Sequence, residues 1–528
     1  MTADPARVSL LRYSPALVLF AIVIADARQH SDPDLWGHVL FGRQLWAHRA
    51  LPRGNPYSYS APDFPWLHHE WLSEVLMGAL FDKFGTAGLK LLKFACTAGT
   101  IGFIALAESE TSAPALVQLA ILLVVALILT PVMQFRPQLF DFLFLSATIA
   151  LLARYQRRGA EMLWFAIPIV AIWSNLHGGF FIGLVAIGVY GVATMLEDLW
   201  AGRGFRRGLG ILAIAGAATA STLVTFLIPP ARDTWITLIR SILNPMTHYT
   251  IGDWIPLIPS LINAPAGSVE QKYFVLVLLF FAAAFVSVVL TPRGGDLALI
   301  AVGAVMLAAA FMAVRNVPMA VIAIAPVFAN HLGLLAHPKV APTSATNPRA
   351  MPRAGRLIIE VLIVLVAFFF ARSNGVLSPG IDASDYPARA VDFMKAHGLK
   401  GNVLADYAWG QYVIWHTAPE SKVFIDSRYD LGYPPEVVAD YMELERGGAG
   451  GAHTLSAYRH DFALVKNGSP AARLMDSQPG WRLIYFDDVA ALIAGFGGDF
   501  GVHRHVGVQV LFGEVTNASA PERSGELL

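Results

Sequence analysis

The chain has 528 residues, 55% of them hydrophobic and only 14% charged, with 38 basic against 38 acidic side chains. A soluble domain carries about 25% charged residues, so this composition belongs in a bilayer, and the lack of a basic excess argues against nucleic acid as a partner. The single cysteine, Cys96, lies in an apolar run and excludes an intrachain disulfide or a cysteine-based metal or redox motif.

Eleven apolar segments follow in chain order, over 8–26, 87–107, 113–135, 138–153, 162–174, 178–196, 208–228, 273–291, 297–314, 318–335 and 357–372. Several are short, and 162–174 suits a tilted or buried helix. Basic residues cluster in alternate gaps: Arg154, Arg157 and Arg158; Arg203, Arg206 and Arg207; Lys339, Arg349, Arg353 and Arg356. The positive-inside rule places these gaps, and the N-terminus with Arg7 and Arg12, in the cytoplasm. The loops 27–86 and 229–272 and everything after about 373 are then outside. The first segment ends in Ala25-Asp26-Ala27, as a cleaved signal peptide would. A retained helix is preferred, because polar chemistry begins within five residues of its end.

After 373 short apolar strands are expected in 401–416, 421–430 and 481–494, with helices over 434–447 and 469–480 between them. This is a small extracytoplasmic α/β domain, 376–514, followed by a tail from 515 whose composition reads as disordered. The fold class is therefore a polytopic α-helical membrane protein of about eleven transmembrane helices with a C-terminal extracytoplasmic α/β domain.

The unusual polar residues collect towards the outside. Asp32, Asp34 and His38 follow the first helix, and His68, His69 and Glu70 come from the same loop. Arg136 and Asp141 flank the outer start of the fourth segment, His177 the turn between the fifth and sixth, Arg315 and Asn316 that between the ninth and tenth, and Asp253 lies in the second long loop. Ionisable groups near the hydrocarbon cost about 2.5–3.5 kcal/mol at its centre and less at its edges, so their grouping suggests an outward-facing polar cavity. Structural alternatives stand beside each. Asp32 before Pro33 fits a helix N-cap, although this leaves Asp34 and His38, one turn apart, unexplained. Helices over 35–46 and 65–75 would lie along the membrane surface, with the histidines interfacial and Trp36 and Trp46 as anchors. Arg136 and Arg315 would snorkel to headgroups, and Gly178 and Gly179 would permit a tight turn.

Carboxylates opposed by arginines at an outer surface suit transfer of a group from a lipid phosphate. A carboxylate takes the proton of an acceptor hydroxyl as it attacks a sugar C1, while arginines hold the phosphate. Asp34 with Asp32, Glu70 or a histidine would also bind a divalent cation, Mg or Mn. A sugar-nucleotide donor is excluded by the direction the cavity faces.

The stretches DPDLWGHVLFGRQLW, LPRGNPYSYS, PWLHHEWLSEVL, FRPQLF, NLHGGFFIGL and DYAWGQYVIWHTAPESKVFIDSRYD, in that order, resemble a bacterial group of GT-C-like membrane proteins within the GT-C superfamily of polytopic glycosyltransferases. The resemblance implies a polyprenyl-phosphate-linked sugar donor, an extracytoplasmic acceptor (glycan, lipid or protein) and an inner-membrane location. It implies that a first-loop acidic residue, Asp34 or Asp32, is base or metal ligand, with Glu70 a third catalytic carboxylate. His38, His68, His69, Arg136, His177, Arg315 and Asn316 would bind substrate. The chain departs from the superfamily in having Asp-Pro-Asp where many members have adjacent Asp and Glu, and Gly37 where relatives often have a second tryptophan. Asp426 and Arg428 in the outer domain would face the cavity or form a plain structural pair. A glycolipid transporter or flippase, and a non-catalytic envelope assembly protein, are the competing functions.

Overall fold

The computed structural model describes residues 14–50, 52, 54–224, 232–237, 239, 254–291, 296–336, 353–495 and 516–517. Asp253, and the tail from 515 apart from Thr516–Asn517, lie outside them, as do 229–231, 238 and 240–253 of the loop 229–272 and the basic residues at 339 and 349. The chain divides into two compact units, Met1–Gln29 with Leu89–Pro379, and His30–Gly88 with Gly380–Leu528.

The first unit is helical, and each of the eleven expected segments carries a helix there. Six are long and apolar enough to cross a bilayer: Thr86–Ser109, Gln138–Arg158, Phe180–Trp200, Arg206–Val224, Val269–Leu290 and Val314–Ala336. The last is 72% buried and Gln138–Arg158 67%, so they form the centre, whereas Arg206–Val224 at 28% and Val269–Leu290 at 33% turn most of their apolar surface outward. Leu279, Phe285, Val286, Val289 and Leu290 are exposed on one helix, a face that needs lipid, not water, around it. The weak segment 162–174 is a 3₁₀ turn, Ala160–Phe165, running into the helix Ala166–Leu176.

Two findings add acidic groups at and near the gaps expected to be basic. The basic gaps carry their own acids: Glu110 meets Arg154 at 3.6 Å and Arg158 at 3.0 Å, and Asp198 meets Arg203 at 2.9 Å and Arg207 at 3.2 Å. Secondly, Asp296 and His331 pair at 2.9 Å, with Asn330 donating to the second Asp296 oxygen at 3.0 Å. This pair sits at the ends of Leu297–Met312 and Val317–Ala336 opposite to Arg315 and Asn316. The one-sided grouping is thus incomplete, because a buried carboxylate matched to an imidazole and an amide leaves no basic signature in a loop.

The second unit joins two distant stretches of chain. Its sheet has the order β2-β1-β3-β5-β4-β6, with β1 Asn402–Ala405, β2 Lys422–Val423, β3 Phe462–Lys466, β4 Trp481–Phe486, β5 Ala490–Gly495 and β6 Thr516–Asn517. β1 is parallel to β2 and β3, and β3, β5 and β4 are antiparallel. The run 481–494 is two strands, not one. Asp487 makes the hairpin by accepting from the backbone N–H of Val489 and Ala490, both at 2.8 Å. The second half of 401–416 is the helix Gly410–Thr417, since its apolar spacing follows one helix face. The loop 27–86 is not an appendage of the membrane helices. Tyr59 N–H donates to Val423 O at 3.2 Å and Val423 N–H to Tyr57 O at 2.9 Å, so this loop pairs along the free edge of β2.

Within this unit the helices Leu35–His48 and Trp71–Phe84 pack against each other along two glycines. A Cβ at Gly42 would lie 1.8 Å from the carbonyl oxygen of Glu74, and one at Gly78 2.8 Å from the backbone nitrogen of Arg43. The backbones touch there, as at small-residue crossings generally. Gly42→Ala is expected to lower stability by about 1–3 kcal/mol through forced backbone displacement, read as a fall in melting temperature. Gly380→Ala, where a Cβ meets nothing within 4 Å, should leave it unchanged.

Candidate active site

The close crossing decides which first-loop side chains meet. Leu35–His48 begins after Asp32, whose Oδ1 accepts from Asp34 N–H at 3.0 Å, while its carbonyl accepts from Leu35 N–H at 3.1 Å. Asp32 therefore shapes the turn before the helix and is not its N-cap, which is Asp34, with no side-chain capping bond; Asp32 is 2% exposed. Asp34 is half-exposed, and Gln411 Nε2 donates to its Oδ1 at 3.4 Å. Gly37 explains itself here, because a Cβ would lie 1.7 Å from Gln411 Oε1. A bulkier residue at 37 and the glutamine that holds Asp34 exclude one another.

One turn on, His38 faces the second helix. Its Nδ1 is 3.3 Å from Glu74 Oε1 and 3.7 Å from Glu70 Oε2, and His69 Nε2 is 3.4 Å from Glu70 Oε1. All three of His38, Glu70 and Glu74 are buried. Burial disfavours the imidazolium, but Glu74, Glu70 and Asp34 outweigh it and raise the His38 pKa to about 9. Burial raises that of Glu74, against the opposing pull of His38. Glu74 is the member that sequence reasoning missed, although Glu70 and Glu74 lie four residues apart, the spacing of one helix face. Among the described residues, His38, Glu70 and Glu74 form the one group of metal-ligating side chains whose donor atoms all lie within 4.8 Å of one another. Asp32 and Asp34 are not part of it. A donor set of one imidazole and two carboxylates fits a divalent cation such as Mn²⁺ better than Mg²⁺, which keeps to oxygen. Glu74 Oε2 is buried with no hydrogen-bond partner among the described residues, an orphan that a cation would satisfy.

Beneath this cluster lies Arg428. Its Nε donates to Asp426 Oδ1 at 2.8 Å, and its Nη2 to Asp426 Oδ2 at 2.6 Å and Asn55 Oδ1 at 2.8 Å. The guanidinium covers the ring of Trp66 at 4.3 Å and that of Phe41 at 5.0 Å. Asp426 is 0% exposed, so these two residues are a structural pair. His68 stacks on Trp66 at 3.8 Å. Burial, then the Arg428 and His69 charges, lower its pKa to about 3.

The other predicted residues belong to the membrane unit. His177 Nδ1 lies 2.6 Å from Asp141 Oδ2, and Trp173 Nε1 donates to Asp141 Oδ1 at 2.6 Å. Gly179 has φ −66, so no tight turn requires it. Its role is space, since a Cβ would come within 2.2 Å of the Asp141 carboxyl. Arg315 covers the ring of Trp254 at 4.4 Å, and Asn316 Nδ2 donates to Ala309 O at 3.0 Å, closing the end of Leu297–Met312. Arg136 is half-buried in the turn before Gln138–Arg158.

No family model matches the sequence, and no curated protein does. Among solved structures, the oligosaccharyltransferase of Archaeoglobus fulgidus, tethered with an acceptor peptide, superposes with a TM-score of 0.52 at 11% identity, over 86% of this chain and 68% of that one. ArnT of Cupriavidus metallidurans bound to undecaprenyl phosphate aligns at TM-score 0.46 and 12% identity, over 91% and 96% of the two chains. The mycobacterial arabinofuranosyltransferase AftD aligns at 0.49 and 12%, over 94% of this chain and 42% of that one. The fold comparison rests on the first, and this chain shares the fold of that structure.

The second unit holds three histidines below their ordinary pKa: His68 at about 3, and His416 and His460 at about 4, with burial the largest cause in each. The unfolded chain takes up these protons near pH 6.5 and the folded one does not. Their contribution is present above pH 6.5 and is lost as pH falls towards 4. His38 runs the other way: its contribution is full below pH 6.5 and disappears as pH rises through about 9. Melting temperature against pH should therefore form a plateau bounded on both sides, with the acid edge shallower in His68→Gln and the alkaline edge absent in His38→Gln.

Proposed function

We propose that the chain is an inverting glycosyltransferase that moves one sugar from a polyprenyl-phosphate donor to an extracytoplasmic acceptor, in a bacterial inner membrane with its N-terminus cytoplasmic. The observation behind this reading is the meeting of His38, Glu70 and Glu74 beside Asp34, on the first outer loop of a GT-C fold.

Asp34 is the half-exposed carboxylate and is assigned as base. It accepts the proton of the acceptor hydroxyl while the acceptor oxygen bonds to C1 and the C1–O bond to the lipid phosphate breaks. Asp32 keeps the turn and Gln411 keeps the Asp34 carboxyl in place. His38, Glu70 and Glu74 would hold a divalent cation, which when bound supplies positive charge to the departing phosphate. His38 and His69 keep the Glu70 carboxylate in position. The first-loop location of these groups supports a donor presented at the outer surface, which is where lipid-carried sugars are available and nucleotide sugars are not. Arg136, His177, Arg315 and Asn316, all in the membrane unit, are proposed as substrate-binding residues of that unit.

In membranes supplied with a panel of polyprenyl-phosphate sugars, the wild type should transfer sugar, and Asp34→Asn should lose about 100-fold or more. A wild type inactive with every donor, or an Asp34→Asn variant as active as wild type, would defeat the reading. Chelation should abolish transfer and Mn²⁺ restore it, with Glu74→Gln raising the Mn²⁺ needed for half-recovery by about tenfold. Activity indifferent to chelator would remove the cation from the scheme.

A further inference from the structure

The helix that carries His38 also walls a cleft of about 300 Å³ in the second unit. Phe41 and Trp66 form its aromatic side, edge to face at 4.6 Å, extended by His68 on Trp66. Gln44 and His48, one turn apart on Leu35–His48, supply its polar side, and Pro56 closes it. The Tyr57 hydroxyl donates to Gln44 Oε1, which leaves the carboxamide NH₂ as the end that donates. His48 Nδ1 bonds the Gln44 carbonyl at 3.0 Å, which leaves Nε2 as an acceptor. One donor and one acceptor thus stand opposite an aromatic wall.

Among the described residues, the lining contains no carboxylate, lysine or arginine. A phosphate or other ion would be desolvated there with no charged lining group among the described residues to bond it, the nearby Arg428 being paired with Asp426. A peptide backbone would need paired amide partners along a strand edge or groove, which this lining lacks. A sugar ring has one apolar face of C–H groups and hydroxyls along its edge, so it meets an aromatic wall and hydrogen-bonding groups together. The volume is at the small end of the range for small-molecule sites, about 300–1,000 Å³, suiting one or two rings. Phe41 lies three residues after His38 on the same helix face, so the cleft begins about one turn, ~5 Å, from the carboxylate cluster.

We propose that this cleft seats a neutral sugar ring of the acceptor, making the acceptor a glycan and not a polypeptide or a bare lipid. The inference rests on the glycosyltransferase reading above for the word acceptor, and on the cleft alone for the sugar.

The test is ligand-observed saturation-transfer NMR on the full chain in nanodiscs, without any lipid donor. The probes are neutral mono- and disaccharides, with an acidic monosaccharide and an uncharged peptide alongside. At least one neutral saccharide should receive saturation. Ala50→Phe, which fills the cleft from an exposed rim position, and His48→Ala, at an exposed residue, should each weaken its Kd by about tenfold or more with an unchanged melting temperature. No saccharide bound, the same affinity in both variants, or a response confined to the peptide or the acidic sugar overturns the proposal. Because no donor is present, the two readings fail separately. Sugar binding that both variants weaken, in a protein that transfers nothing, removes only the transferase. Glycan transfer that both variants leave intact removes only the cleft.

Discussion

The second unit depends on one buried guanidinium. Arg428 comes from the C-terminal stretch, and most of what surrounds it comes from the stretch between the first two membrane segments: Asn55 accepts from it, and Phe41, Tyr57 and Trp66 present their rings. Asp426 and Tyr433 complete the enclosure, with the Tyr433 hydroxyl donating to Asp426 at 2.7 Å. Taking a charge out of water is costly unless it is paired and bonded, and removing one partner of a buried pair typically costs about 3–5 kcal/mol. The same energy makes the arrangement specific. Trp66 has to stand where the guanidinium is, and Trp66 is followed closely by His68, His69 and Glu70. The position of the carboxylate cluster is therefore inherited from an interaction between segments more than 300 residues apart.

The second determinant is steric. With Trp66 fixed, Trp71–Phe84 still has to approach Leu35–His48 closely enough for His38 to reach Glu74, and the glycines at 42 and 78 permit backbone contact there. Gly37 performs the same service for Gln411 and, through it, for Asp34. Gly179 does so for Asp141 in the membrane unit. In each case the glycine makes room for a polar group, and only Gly42 and Gly78 do it by joining two helices.

These are also the places where the sequence is least legible. Apolar runs of membrane length are unmistakable, so the eleven helices and the change of character after 373 can be read from periodicity alone. Asp34, His38 and Glu70 can be singled out because charge is expensive in an apolar chain. What cannot be read is which of them meet. Glu74 stood in view, but its partner lies on another helix. The assignment of Arg428 and Asp426 to the same unit as the first loop has no local signature, since a buried pair across segments leaves no periodicity. The hairpin at Asp487 had a signal in the sequence, since Asp487 and Asp488 are turn formers between two apolar stretches. The pair Asp296 and His331 escaped because the positive-inside rule counts arginine and lysine and is blind to imidazole.

The choice of counter-charge separates the structural carboxylate from the chemical ones. Asp426 is answered by a guanidinium that stays charged at any working pH and gives it two hydrogen bonds. Glu70 and Glu74 are answered by His38, a base whose proton a cation can displace. Had an arginine stood at position 38, the cluster would be saturated and could not take up the proposed metal ion. Arg428 lies close enough to bias Glu74 but is already committed, so it sets the field without closing the site. A permanently paired foundation under a titratable cluster is the arrangement that lets one set of carboxylates be both buried and available.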